Sequence, residues 1–179
     1  MPRPKTRSDD EVLDAALTLL REGRLTFASV AEASGLSGAT LVQRFGSKDG
    51  LRQRALLLAW DRLVERTRAA AERAPRTPAG AVELLVELSG GYADFDRYAE
   101  NLLILREDLR DPVLRARGAA WERELIAALD ACCGDDSGAL LAAHWQGAVT
   151  WWAFRPDDRL ADHLRESLTA LVARLYPSA

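Results

Sequence analysis

The sequence predicts an all-α protein of about nine helices: a three-helix head with a helix-turn-helix layout, then a larger helical domain. Three observations predict it. Apolar residues recur every three or four positions along nearly the whole chain, with no alternating run of the kind a half-buried strand needs. Capping residues, glycines and prolines cut that pattern into helix-length pieces. The 179 residues, 48% apolar and 28% charged, are enough for a sizeable buried core in a globular protein.

In chain order, Ser8-Asp9-Asp10-Glu11 fits a capping box, with the glutamate three residues after the serine. The helix it opens places Leu13, Ala16, Leu17 and Leu20 on one face and ends near Gly23. Thr26 can cap a second, short helix in which Val30 and Ala31 face inward. Gly35 stands where the chain must leave that helix, a place that often requires positive φ. Ser37 can cap a third helix whose Leu41 and Phe45, four apart, face the core. Gly38, Ala39, Thr40, Val42, Gln43 and Arg44 are then left pointing outward. That face is mixed and poor in carboxylates, which suits the floor of a DNA major groove. By layout alone, an ordinary helical hairpin within an all-α core fits equally well.

The continuation separates the two readings. Leu-Ser-Gly-Ala-Thr-Leu-Val-Gln-Arg-Phe-Gly-Ser-Lys-Asp-Gly-Leu at 36–51 resembles the N-terminal domain of the TetR family of transcriptional regulators. The resemblance covers about the first 55 residues, with Thr40, Leu41, Phe45, Ser47, Lys48 and Leu51 in register. Ala39 stands where the family usually has glycine, Val42 where it usually has an aromatic, and Arg44 where it usually has histidine. The resemblance implies a DNA-binding domain over 1–50 and a ligand-binding and dimerisation domain over 51–179. It implies DNA contacts from Thr26, Ser37, Gly38, Ala39, Thr40, Val42, Gln43, Arg44 and Lys48, with Lys48 on a phosphate. Gln43 can pair with adenine, Arg44 can reach guanine or a phosphate, and Ala39 and Val42 offer only apolar contact. Loss of the aromatic at 42 removes an expected phosphate contact.

Charge is compatible with this. The net charge is −3, and residues 1–50 balance seven basic against seven acidic groups. The acids Asp9, Asp10, Glu11 and Asp14 crowd the first helix, whereas Arg3, Lys5 and Arg7 form an N-terminal arm and Arg44, Lys48, Arg52 and Arg54 cluster. An acidic total suppresses non-specific binding without removing a local basic footprint. Only Lys5 and Lys48 among the 24 basic residues are lysine.

Ser47 can cap a fourth helix running to about Arg73, after which Pro75 and Pro78 punctuate the chain. A head of about 45 residues is marginal alone, and this fourth helix is expected to support it. Further helices are expected at about 78–92 (Val82, Leu85, Leu88, Tyr92), 95–109 and 112–133, the last with Asp111 as cap, Pro112 at its first position and a stripe of Leu114, Gly118, Trp121, Leu125 and Leu129. Two more are expected at about 137–154 and 157–175, the second with Asp157 and Asp158 at its positive end. The first of these is apolar nearly all round, which predicts burial on more than one side.

Dimerisation is therefore expected through these last two helices, at Gly147, Trp151, Leu164, Leu168 and Leu171. A small hydrophobic effector is expected in the second domain, with Tyr98, Asn101, Arg106, Trp121, His144, Trp145 and Gln146 as candidate lining residues. The expected partners are a double-stranded DNA operator, that effector and a second copy of the chain.

The remaining classes fall away. There is no phosphate loop, no G-x-S-x-G and no His–carboxylate motif, so an enzyme is not expected. His144, His163, Cys132 and Cys133 lack metal-ligand spacing, and no metal or cofactor is expected. The adjacent cysteines are expected to be free thiols in a reducing cytoplasm. No signal segment and no apolar run of about 20 residues is visible, so no membrane partner is expected. The competing functional class is a helical ligand-binding or interaction protein whose degenerate head no longer binds DNA.

Overall fold

The computed structural model describes residues 7–91, 95–156 and 158–177. Arg3 and Lys5 of the basic arm, Tyr92 and Asp157 lie outside the described residues. Among the described residues there are nine α-helices, one short 3-10 turn and no strand. The helices are α1 (Asp9–Arg21), α2 (Phe27–Ser34), α3 (Gly38–Phe45), α4 (Lys48–Arg73), α5 (Pro78–Leu88), α6 (Phe95–Arg110), α7 (Pro112–Cys133), α8 (Gly138–Ala153) and α9 (Leu160–Leu175). None is long and apolar enough to cross a membrane.

The chain forms two compact units, and neither is a single stretch. One comprises Met1–Arg62 with Glu100–Gly118, the other Leu63–Ala99 with Ala119–Ala179.

In the first unit the helix ends follow local chemistry. Ser8 accepts from the Glu11 amide at 3.2 Å and the Glu11 carboxylate accepts from the Ser8 amide at 2.9 Å, a reciprocal capping box. Thr26 makes a second such box with Ser29, and Ser37 accepts from the Thr40 amide at 3.1 Å. Val12, Leu13, Ala16 and Leu17 of α1 meet Val30, Leu41 and Phe45 in one core. Leu51, Ala55 and Leu56 of α4 and Leu114 at the start of α7 close it. The small head is thus supported by α4, as expected, and by the α7 N-terminus as well.

In the second unit α5, α8 and α9 enclose a core of Leu84, Leu85, Leu141, Trp145, Trp152, Leu164 and Leu168, with Leu125 and Leu129 from α7. Thr77 caps α5 and Pro78 opens it. A β-carbon on the buried Gly80 would overlap the Pro75 carbonyl oxygen, which is backbone and cannot rotate away. Gly80→Ala is expected to cost about 1–3 kcal/mol, as overpacking of a closed site does. Urea denaturation checks this; an unchanged midpoint would mean that the Pro75 turn yields freely.

Two helix ends differ from the sequence expectation. α5 stops at Leu88 and a 3-10 turn over Ser89–Gly91 follows, because the Gly90-Gly91 pair is costly to hold in a helix. α9 starts at Leu160 instead of 157, after an extended Arg159. There the Trp152 indole donates to the Asp158 carbonyl at 2.8 Å and keeps that residue out of the helix.

Candidate nucleic-acid interface

The second and third helices form a turn-linked pair. Gly35 closes α2 at φ 71°, the left-handed conformation that an L side chain resists, and its amide donates to the Ala31 carbonyl at 2.9 Å. The Ser34 hydroxyl is buried and donates to the Val30 carbonyl at 2.6 Å. α3 then presents one buried edge, Leu41 and Phe45, and one exposed edge. Ser37, Gly38, Ala39, Val42 and Gln43 line the accessible side, and Thr40 is half-buried with its hydroxyl 2.9 Å from that of Ser37. Thr26 is exposed at the start of α2.

Lys48 is exposed at the first position of α4. Ser47 accepts from the Gly50 amide at 3.0 Å and so caps that helix. An ammonium group therefore stands beside a helix N-terminus, where the backbone also favours an anion.

Arg44 is placed differently from its neighbours. Its guanidinium turns back to the start of α1, donating to the Arg7 carbonyl at 2.8 Å and approaching Asp9 at 3.4 Å. Its own carbonyl accepts from Arg54 at 3.0 Å, and Arg54 also pairs with Asp9 at 2.9 Å while lying 4.8 Å over the Phe45 ring. In the free protein Arg44 thus ties α3 to α1. Positional geometry on a helix could not show this, because a long side chain reaches well beyond its own turn. The signal was the acid cluster at 9–14, which also holds Arg62 through Asp14 at 2.9 Å.

No protein-family model and no curated protein matches the sequence. Solved structures do match. A member of the TetR family from Streptomyces coelicolor A3 superposes with a TM-score of 0.68 at 23% identity, over 90% of this chain and 95% of its own. The TetR-family regulator PfmR from Thermus thermophilus gives 0.64 at 24% identity, over 91% and 97%. The multidrug binding protein EbrR, solved with malachite green, gives 0.67 at 22% identity, over 93% and 98%.

This is the TetR fold. With the TetR fold established, the residues expected in its C-terminal part can be placed. The seven candidate effector residues do not all belong to one unit. Asn101 and Arg106 belong to the first unit, and Arg106 is exposed beside Glu107. Tyr98 is buried with its hydroxyl 3.2 Å from that of Thr150, and His144 meets Ser167 at 2.9 Å. Trp145 is buried and donates to Ser89 at 2.7 Å; Trp121 is half-buried and donates to Thr67 at 2.9 Å. The two indoles pack with centroids 6.4 Å apart. Gln146 is exposed. The tryptophans thus fill core volume with their polar atoms satisfied. A shallow surface depression lies elsewhere, along α9 at Asp162, Arg165, Glu166, Thr169, Ala170 and Ala173, and none of the seven lines it.

The residues expected at a dimer seam divide between the core and the surface. Leu164 and Leu168 are fully buried in the core of their own chain, and Leu171 packs against that core. The leucine stripe of α9 is thus turned into its own core at Leu160, Leu164 and Leu168 and is half-buried at Leu171 and Leu175. Trp151 is 64% exposed and Gly147 has open space beside it. Leu140 and Phe154, outside the expected set, are also exposed, Phe154 at 74% with its ring 5.8 Å from that of Trp151. Leu140, Gly147, Trp151 and Phe154 recur at spacings of seven, four and three, a heptad-like signal that overlapped a second, inward stripe on the same helix.

Cys132 is buried, Cys133 is half-buried, and both are free. Burial pushes both thiols up, away from the thiolate that redox chemistry uses. Among the described residues no group of three or more His, Cys, Asp or Glu is arranged to hold a metal.

Proposed function

We propose that the protein is a homodimeric, one-component transcriptional regulator acting in the cytoplasm: a repressor that a small hydrophobic effector releases from an inverted-repeat operator. One observation carries the DNA-binding reading. On a TetR fold, the outward face of α3 presents Gly38, Ala39, Val42 and Gln43 without a carboxylate, and Lys48 follows at the α4 N-terminus. In this reading residues 1–50 bind DNA, while 51–179 carry effector binding and pairing. Thr26, Ser37 and Thr40 orient helix starts against the DNA backbone, and Gln43 reads a base. Arg44 reaches DNA only by leaving Arg7 and Asp9, so its role is first to hold α3 in place.

Pairing is assigned to the exposed α8 edge of Leu140, Gly147, Trp151 and Phe154 in place of the α9 leucines. The effector reading is supported by the likeness to EbrR, which is seen with malachite green. An effector lowers operator affinity only as far as it binds the released state more tightly.

The test is fluorescence anisotropy against genomic fragments, then against the selected operator with two variants. Lys48→Ala should weaken binding about equally on all sequences and shallow the salt dependence by roughly one unit, as loss of one phosphate contact requires. Gln43→Ala should relax preference at one base pair, costing roughly 1–3 kcal/mol there. Wild-type affinity and preference in both variants would refute the docking. Failure of the wild-type protein to bind any fragment would favour the helical interaction protein with a degenerate head.

A further inference from the structure

The first unit contains a feature that DNA contact does not use. The corner between α6 and α7 grips α4 through three carboxyl groups. Glu107 holds Arg52 at 3.0 Å, Asp108 accepts from the Trp60 indole at 3.1 Å, and Asp111 accepts from Gln53 at 2.8 Å. Asp111 also caps α7 through the Val113 amide at 2.8 Å, so its negative charge is well supported. Asp108 is in a different position. It is 7% exposed, next to Glu107 in sequence and one turn before Asp111, close to the negative end of α6. The ring of Trp60 lies against Gly118, where a β-carbon would come within 3.2 Å of it, so the indole is held in its slot from the α7 side. Charged groups paired around the corner include Arg52 on α4 with Glu107 and Asp49, Arg106 beside Glu107 on α6, and Arg117 on α7 with Asp61; Asp111 stands at the corner itself.

We propose that Asp108 makes this grip proton-sensitive: the corner holds α4 more firmly in acid and loosens its hold as pH rises towards neutral. Burial pushes the Asp108 carboxyl up to about 6 from an ordinary 3.8; the Trp60 bond opposes the rise, and Asp111 and Glu107 add to it. Opening the grip would return Asp108 to water and to its ordinary value. The closed form therefore keeps a proton that the open form releases. Its advantage is complete below the ordinary value and is lost as pH rises through about 6. The separation sets a ceiling of roughly 100-fold on the change in the closed-to-open ratio from below the ordinary value to above the raised one, of which roughly four-fold falls between pH 5.5 and 7.5. The same helix carries Lys48 at its first position, so the device acts on the element that places the candidate phosphate contact.

The test is hydrogen exchange of the 52–60 amides in the full chain at pH 5.5 and 7.5, corrected for intrinsic exchange rates. Wild-type protection should be about four-fold higher at pH 5.5. Asp108→Asn keeps an acceptor for Trp60 and cannot titrate, so its protection should be equal at the two values. Trp60→Phe removes the bond that lowers the Asp108 value, so the midpoint of the wild-type-like pH response should move upward. Carboxyl carbon NMR of Asp108 gives an independent reading that does not depend on any variant folding. A midpoint near that of an exposed aspartate, or superimposable pH profiles for wild type and Asp108→Asn, would overturn the proposal.

Discussion

Trp145→Ala lowers the unfolding free energy by about 3–5 kcal/mol, the usual cost of removing a buried aromatic from a core that cannot collapse around the loss. The residue is 2% exposed and lies in the same core as Leu85, Leu141 and Leu164. Its loss also leaves Ser89, itself 3% exposed, without the indole, and leaves Trp121 without its ring neighbour 6.4 Å away. The Ser89 hydroxyl keeps its bond to the Leu85 carbonyl at 2.8 Å, so the dominant loss is packing and not an orphaned donor. Chemical denaturation followed by far-ultraviolet circular dichroism measures it. A loss under about 1 kcal/mol would show that the tryptophan pair is loosely packed, and would strengthen the case for an effector cavity there.

Trp151→Arg combined with Phe154→Arg is expected to yield a monomer that no longer holds the proposed operator. Both side chains are mostly exposed in the single chain, so charge there leaves the core of the second unit intact. In a two-fold pair the same positions would face their own copies, and four guanidinium groups would be brought together in a low-dielectric seam. With one head per molecule the second binding event is no longer intramolecular, and operator affinity is expected to fall by about two orders of magnitude or more. Analytical ultracentrifugation with operator titration checks both halves. Leu164→Arg is the informative contrast: it should unfold the second unit instead of cleanly dissociating it, because that leucine is fully buried in its own chain. A double variant that stays dimeric would move the pairing surface elsewhere.

The helix ends were legible wherever a cap or a glycine set them. Ser8 with Glu11, Thr26, Ser37, Gly35 and the Asp111-Pro112 pair each mark a boundary that the structure keeps. These signals are local, so a few residues carry them. Faces were legible as groups but not as destinations. Leu160, Leu164, Leu168, Leu171 and Leu175 do share one face of α9, yet periodicity cannot say whether a shared face meets its own core or another molecule. α8 compounds the difficulty because two apolar stripes wind around one helix. For the candidate DNA interface, the exposed set on α3 followed from Leu41 and Phe45 facing inward. The anchoring of Arg44 did not follow, since it depends on where α1 begins relative to α3, a tertiary distance that side-chain spacing does not encode.

The exposed ammonium at the start of α4 has a practical corollary in a chain whose other basic residues, Lys5 apart, are arginine. Amine-directed reagents find only two lysines and the terminal amine, so acylation of the peptide that carries Lys48 is a clean probe of one corner of the head. Occupancy of DNA could then be followed by mass spectrometry as shielding of one peptide, with no engineered label. Acylation of Lys48 removes a positive charge beside a helix start, so the modified protein itself reports what that charge contributes to DNA affinity.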